Sequence, residues 1–181
     1  MQIVAVEHKF LNHVVDAQTE TLIIGTFNPD TEKNDANFFY SRKHNFLWRL
    51  LPKVFEMPDM RDQTKLEKEK FAKDRHIDFI DIISKVCVEQ GKEANFSDAY
   101  IDSRVDQFGW TNVAGVVEKL NVLKRVCFTR RSFSNVPNIR HHVAILKELF
   151  EQRETLFRCI ISPARFYSER KQIEWNMFFR Q

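Results

Sequence analysis

The sequence predicts an α/β protein, with a mainly parallel sheet covered by helices on both faces. Short apolar runs alternate along the chain with segments whose apolar residues recur at helical spacing. Each apolar run ends in polar or turn-forming residues, as buried strands do. The chain has 181 residues, enough for one domain with a sizeable core. Residues 1–181 are therefore interpreted as a single domain.

The N-terminal half is expected to hold two strands and three helices. Residues 22–26 form the clearest strand, an apolar run that stops at Gly25 and Thr26. Residues 77–83 form a second short strand or extended turn. Apolar spacing and composition predict the helices, at residues 7–17, 45–55 and 61–75. The last of these has little apolar face, so it is expected to be exposed.

The C-terminal half is expected to hold two strands and four helices. The strands are residues 124–129 and 157–162, and the longest helix, 137–152, begins at a proline, which suits a first helical turn. The other helices are predicted at residues 97–108, 111–120 and 168–180. The terminal helix is expected to bury Ile173 and Met177, with Trp175 as a further candidate.

Composition excludes several classes of protein and site. The three cysteines are far apart and include no Cys-x-x-Cys pair, so neither a disulfide framework nor a zinc site is expected. Reduced thiols are typical of a cytoplasmic protein. No apolar run approaches the ~20 residues of a membrane span, and no signal peptide is recognised. A cytoplasmic location with no membrane partner is expected, and the oligomeric state is left open.

Known phosphate and metal motifs are missing from the sequence. Neither a G-x-G-x-x-G loop nor a Walker A lysine occurs, which argues against NAD or ATP bound in those ways. His141 and His142 are adjacent on a predicted helix, so they point in different directions and do not face one metal ion. No metal site is predicted.

Basic residues concentrate in three segments. Residues 41–53 hold four and no acidic residue, and residues 124–142 hold five and no acidic residue. Residues 158–171 hold four basic residues and one acidic residue. If these segments meet on one face, they form a surface for phosphates. The alternative is that these charges only solvate helices.

Three of the predicted strands end in polar or loop-forming residues, at 26–29, 129–131 and 162–165. Parallel strands bring their carboxyl ends to one rim, where α/β proteins bind ligands. Residues 37–48 also interleave aromatic rings with basic groups, a pattern that suits a nucleic-acid base and its phosphates. The alternative is that the rings belong to the core and the charges to the surface.

The stretch from "GTFNPD" to "ANFFYSRKHNFLWRLL" resembles the uracil-DNA glycosylase superfamily, especially its mismatch-specific and hypoxanthine-DNA glycosylase branches. In those branches a strand ends in Gly-x-Asn-Pro or Gly-Ser-x-Pro, and a Tyr-Tyr…Arg-Asn-x-Phe-Trp stretch then opens a helix. Phe39-Tyr40, Arg42, Asn45 and Trp48 match that second stretch. "HIDFIDII" and "IISPAR" resemble two later family segments, so the resemblance spans about residues 22–170.

This resemblance implies a three-layer α/β/α sandwich with a small, mainly parallel sheet. It also implies hydrolysis of the N-glycosidic bond of uracil, hypoxanthine or a related base flipped out of DNA, in base excision repair. DNA is the implied partner, and neither a metal nor a cofactor is needed. Two alternatives stay open: a nucleic-acid-binding relative with a degenerate site, and an enzyme that processes free nucleosides or nucleotides.

The resemblance makes Asn45 and Asn28 the candidate catalytic residues. Phe27 is an extra residue between Gly25 and Asn28, and strand alternation would turn Asn28 to the opposite face. Asn45 is therefore favoured. An Asx turn before Pro29 is the alternative role for Asn28.

Further residues have expected roles in binding. The candidates for the base pocket are Gly25, Thr26, Phe27, Phe39, Tyr40, His44 and Asp81. The loop that ends the last strand is expected to press on the DNA backbone, through Ser162, Pro163, Ala164 and Arg165. The basic candidates for phosphate contacts are Arg42, Lys43, Arg130 and Arg131, of which the last two depart from the family pattern.

Overall fold

The computed structural model describes residues 2–95, 97–104 and 108–181. The strands within these ranges are β1 (Ile3–Glu7), β2 (Thr21–Gly25), β3 (Ile77–Asp81), β4 (Ile83–Glu89), β5 (Phe108–Trp110), β6 (Arg125–Phe128) and β7 (Leu156–Cys159). The helices are α1 (Leu47–Val54), α2 (Lys65–Lys73), α3 (Asp98–Asp102), α4 (Val113–Val117), α5 (Pro137–Gln152) and α6 (Glu169–Phe179).

Four strands form a parallel sheet in the order β3-β2-β6-β7. β2 lies inside this sheet, where Ile23 is level with Phe79 of β3 and Cys127 of β6. Every residue of β2 is buried, as expected for an uninterrupted apolar run with neighbours on both sides. These are the four strands that the sequence predicts, so the mainly parallel sheet is confirmed.

Helices cover both faces of the parallel sheet. Side chains of β2 alternate between two hydrophobic clusters, with Leu22 and Ile24 in one and Ile23 in the other. The first cluster includes the inner stripe of α5, and the second includes buried residues of α1, α2 and α6. The expected three-layer α/β/α sandwich is confirmed.

The structure also has a second, antiparallel sheet in the order β1-β4-β5, which was not predicted from the sequence. The helix expected at residues 7–17 is wrong, because β1 runs to Glu7 and turns follow it. β1 pairs with β4, which is distant in sequence, and local periodicity does not report such pairing. The segment after β1 is also tied to the end of β2 by an antiparallel bridge between His8 and Pro29.

The segment predicted as one strand at residues 77–83 contains the whole of β3 and the start of β4, which belong to different sheets. β3 ends at Asp81, and β4 begins at Ile83 in the antiparallel sheet. The N–H of Ile82 donates to the carbonyl of Gly25 at 3.0 Å, which joins this crossing to the end of β2. Asp81 therefore lies where the two sheets meet.

Two predictions about helix faces are wrong. Ile173 and Met177 of α6 are 57% and 58% exposed, because the larger rings of Trp175 and Phe178 occupy the inner face. α2 is not simply exposed, since it buries Phe71 and Lys68, and the Lys68 amine donates to the Arg61 carbonyl at 2.9 Å. None of the described helices is both long and apolar enough to span a membrane.

The helix expected at residues 97–108 is shorter in the structure. α3 begins after Ser97, whose hydroxyl accepts the N–H of Tyr100 at 3.2 Å, as expected for an N-cap. The helix ends at Asp102. Part of the predicted segment, residues 105–107, lies outside the described residues.

Candidate functional site

A cleft of about 620 Å³ opens at the carboxyl ends of β2, β3, β6 and β7. It brings together most of the site residues predicted from the sequence. Those that line it are Gly25, Thr26, Phe27, Asn28, Tyr40, Arg42, Asn45, Asp81, Arg130, Arg131, Ser162, Ala164 and Arg165. The strand ends therefore converge on one rim, as the parallel sheet requires.

The floor of the cleft depends on glycine at position 25. A Cβ atom there would lie 2.3 Å from Oδ1 of Asp81 and 2.5 Å from Oη of Tyr40. Both distances are shorter than any van der Waals contact, so a side chain at this position would displace both polar groups. Gly25 therefore permits the carboxylate and the phenol to approach the end of β2 closely.

Tyr40 lies on the cleft wall with a left-handed backbone, at φ 57°. The Tyr40 hydroxyl is 3.1 Å from Oγ1 of Thr129. The Thr129 hydroxyl in turn donates to the Ile24 carbonyl at 3.3 Å. Burial raises the pKa of Tyr40 well above its ordinary value, and the nearby Asp81 carboxylate adds to the shift. The phenol therefore stays neutral and keeps its proton for hydrogen bonding.

Asn28 is buried except where it meets the cleft. β2 ends at Gly25, so Asn28 lies beyond the strand, and it lines the cleft. No Asx turn forms among the described contacts. Instead, the side-chain oxygen accepts a 2.6 Å hydrogen bond from the amide of Asn34.

Asn45 lies just before α1 and also lines the cleft. Its side-chain oxygen accepts the N–H of Leu47 at 3.0 Å. Its backbone forms an antiparallel bridge with Ala164, flanked by hydrogen bonds from Phe46 to Pro163 and from Arg165 to His44. This bridge joins the start of α1 to the loop after β7.

The two asparagines present the same chemical group to the cleft. In each residue the side-chain oxygen accepts a hydrogen bond from the protein. The NH₂ group of each has no hydrogen-bond partner in the described ranges. A ligand therefore meets amide donors at Asn28 and Asn45. Such donors suit a carbonyl oxygen.

An acidic and a basic side chain that line the cleft, Asp98 and Arg130, form an ion pair. Arg130 is ion-paired with Asp98, and it also donates to the Ser132 carbonyl at 2.7 Å and to Asn135 at 2.9 Å. Burial raises the pKa of Asp98 above its ordinary value, although Arg130 acts in the opposite direction. Arg131 is more exposed and contacts Glu174 at 2.7 Å.

The loop after β7 is held by a buried lysine. The Lys171 amine donates to the carbonyls of Ala164 and Phe166 at 2.7 and 2.8 Å, and it lies 4.3 Å from the centre of the Phe166 ring. Between these carbonyls, Arg165 is exposed and has φ 76°. Burial lowers the pKa of Lys171, and Arg165 adds to the shift. The loop thus presents Arg165 and the Phe166 ring at the rim.

Four predicted site residues do not line the cleft. Phe39 is buried in an aromatic cluster, stacked at 5.8 Å on Phe79. Pro163 is also buried, while Lys43 and His44 are exposed on the turn before α1. Phe39 therefore belongs to the core, whereas the backbone carbonyls of His44 and Pro163 accept hydrogen bonds from Arg165 and Phe46 beside the cleft.

Several residues that hold the cleft in shape were not predicted from the sequence, among them His8, Asn34, Asp98 and Lys171. His8 lies 2.9 Å from Asp81, yet it falls in the segment mistaken for a helix. The "DTEKN" loop and the α6 lysine look like surface charge in the sequence. Only their tertiary partners mark them as parts of the site.

The fold and this cleft define a class of protein: an α/β/α sandwich with a polar, basic cleft at the carboxyl end of its parallel sheet. No group of three or more His, Cys, Asp or Glu side chains in the described part of the chain is placed to hold a metal ion.

No protein-family model and no curated protein sequence matches the chain. Its structure is similar to the solution NMR structure of a putative uracil DNA glycosylase from Methanosarcina acetivorans. The two share 19% sequence identity with a TM-score of 0.62, and the match covers 99% of this chain and 98% of that one. At this identity the likeness extends to the fold alone.

Proposed function

We propose that this protein is a monofunctional DNA glycosylase that removes a deaminated or mispaired base, uracil or hypoxanthine, in base excision repair. One observation carries the proposal. Two amide donors and a carboxylate converge in a cleft with arginines at its rim. A volume of about 620 Å³ falls within the range of ligand sites, so a flipped nucleobase with its sugar is a reasonable occupant.

The cleft supplies the groups that this hydrolysis needs. When the bond between C1′ and the base nitrogen breaks, its electron pair moves to the base and positive charge develops on the sugar. The NH₂ groups of Asn45 and Asn28 can donate to a base carbonyl oxygen and stabilise the negative charge. Phe27 and Tyr40 offer ring surfaces at the cleft wall.

The Asp81 carboxylate completes the proposed site. It stabilises the positive sugar and takes a proton from the attacking water, whose oxygen forms the new bond to C1′. That proton then passes to the departing base nitrogen, which restores the carboxylate. No metal or cofactor takes part in these steps.

The rim suits the DNA backbone. Arg42, Arg131 and Arg165 come from three separate segments of the chain, and all line the cleft. Phosphate contacts of this kind give binding that weakens as salt rises. The exposed Phe166 ring beside Arg165 offers an apolar surface to bases next to the flipped nucleotide.

An excision assay tests the proposal. Oligonucleotides carrying uracil, hypoxanthine, or thymine opposite guanine are incubated with the protein and then treated with alkali, which cleaves abasic sites. Cleavage of any one supports a glycosylase. A gel shift without abasic product indicates instead a binding relative with a degenerate site, and activity on free nucleosides alone indicates a nucleoside hydrolase.

A further inference from the structure

His8 is a buried histidine that contacts the floor of the cleft from the other sheet. It follows β1 directly and is 6% exposed. Its Nε2 atom lies 2.9 Å from Oδ2 of Asp81. The rings of Phe10, Phe27 and Phe39 surround the imidazole at centroid distances of 5.7 to 6.0 Å, so its orientation is held on several sides.

The contact made by Nδ1 of His8 shows which nitrogen of the imidazole carries the proton. The backbone N–H of Phe10 donates to Nδ1 of His8 at 3.0 Å. An atom that accepts a hydrogen bond carries no proton, so the ring proton of the neutral imidazole is on Nε2. His8 therefore donates this proton to Oδ2 of Asp81.

The other carboxylate oxygen of Asp81, Oδ1, is available to a ligand in the cleft. Oδ1 lies against Gly25, beside the Tyr40 hydroxyl, and it has no hydrogen-bond partner among the residues that the structure describes. With Oδ2 held by His8, rotation of the carboxylate about its Cβ–Cγ bond is restricted. Oδ1 thus faces the site with a fixed direction.

We propose that His8 is a positioning residue, which fixes the orientation of the Asp81 carboxylate so that its Oδ1 atom points at the reacting water. The proposal rests on the proposed glycosylase function and adds a residue to it. His8 itself touches neither the base nor the sugar. It acts on the site through its hydrogen bond to Asp81. A substitution can remove this bond and keep the hydrogen bond from the Phe10 N–H that stabilises the turn.

Two substitutions separate these contacts. His8→Gln keeps an amide N–H near the position of Nε2 and removes the acceptor for Phe10. His8→Asn does the reverse, because its shorter side chain places an oxygen near Nδ1 and reaches less far towards Asp81. Both variants are compared with the wild type by steady-state kinetics and by thermal unfolding, using the oligonucleotide that the wild type cleaves best.

We expect His8→Asn to lower kcat at least about tenfold with little change in KM, because the Asp81 carboxylate is no longer held in one orientation. His8→Gln should retain most of kcat even if its melting temperature falls. Equal losses in both variants, a loss in His8→Gln alone, or full activity in both would overturn the proposal.

A second measurement keeps this proposal apart from the proposed function. The ¹⁵N chemical shifts of His8 report its tautomer in the wild-type protein, whether or not it excises a base. We expect a pyrrole-like shift at Nε2 and a pyridine-like shift at Nδ1. A proton on Nδ1 would refute the inference, whereas a wild type with the expected tautomer and no excision would refute only the glycosylase function.

Discussion

The side chain of Asn34 fixes the amide of Asn28 through a 2.6 Å hydrogen bond from its Nδ2 to the Asn28 oxygen. The orientation of Asn34 is itself determined, since Nδ2 also donates to the Pro29 carbonyl at 2.6 Å and its oxygen accepts the N–H of Ala36 at 3.2 Å. The Asn28 oxygen is therefore occupied, and its NH₂ group is left to meet a ligand.

Replacing Asn34 should affect both stability and turnover. Asn34→Ala removes the donor for two buried oxygens, so we expect the free energy of unfolding to fall by about 1–3 kcal/mol. Turnover should also fall, because the Asn28 amide can then rotate. Urea unfolding and single-turnover excision measure the two effects. Thr31→Val is a control in the same loop, since the buried Thr31 hydroxyl has no hydrogen-bond partner in the part of the chain that the structure describes, and its loss should cost nothing.

Removing the Asn45 amide should slow the chemical step. We expect Asn45→Ala to lower turnover by about 10²-fold, the order seen when one oxyanion donor is lost, while DNA affinity is nearly kept. Asn45→Asp retains the oxygen that accepts the Leu47 N–H but loses the NH₂ group. It should fold normally and be equally slow. If Asn45→Ala is fully active and Asn28→Ala is inactive, Asn28 rather than Asn45 supplies the catalytic amide.

Any side chain at position 25 should disrupt the cleft floor. Gly25→Ala places a methyl group where the Asp81 and Tyr40 oxygens now lie, so we expect loss of excision. Gly91→Ala is the matched control. Gly91 has φ 88° and nothing within 4 Å of an added Cβ, so this change strains the backbone without touching the cleft. Excision comparable to wild type in Gly25→Ala would contradict the proposed geometry.

Arg165 should contribute to DNA affinity and its salt dependence. Because it is exposed at the rim, we expect Arg165→Ala to weaken binding uniformly across sequences and to reduce the salt slope by about 1. Fluorescence anisotropy at several salt concentrations measures this. Arg153→Ala removes the same charge from the end of α5, which leads into the opposite end of the parallel sheet, and should leave the slope unchanged.

Asp98 should oppose DNA binding at neutral pH. Its raised pKa means that, as pH falls, it takes up a proton before an ordinary aspartate does. Protonation of Asp98 removes a negative charge from the cleft and weakens its ion pair with Arg130. DNA affinity should therefore rise as pH falls through this pKa. Asp98→Asn should bind several-fold more tightly at neutral pH and show a weaker pH dependence. Tighter binding by the wild type would exclude this account.

The parallel core was predictable because its signals are local. The run Leu22–Ile24 is apolar because both faces of β2 are covered, and Pro137 starts α5 where a first-turn proline fits. The helix expected at residues 7–17 was wrong because β1 is stabilised by pairing with a strand far along the chain. Ile173 and Met177 were misassigned because their spacing fits a buried face that the bulkier Trp175 and Phe178 occupy instead.

The amino-acid sequence by itself determined which segments form the four strands of the parallel sheet, and hence that polar residues after β2, β6 and β7 share one rim. Only the tertiary structure decided which atoms those residues present. His8 reaches Asp81 from another sheet, Asn34 turns the Asn28 amide, and Lys171 holds the loop of Arg165. Strand formation follows from side-chain pattern, whereas the orientation of a polar group depends on hydrogen bonds between parts of the chain that meet only after folding.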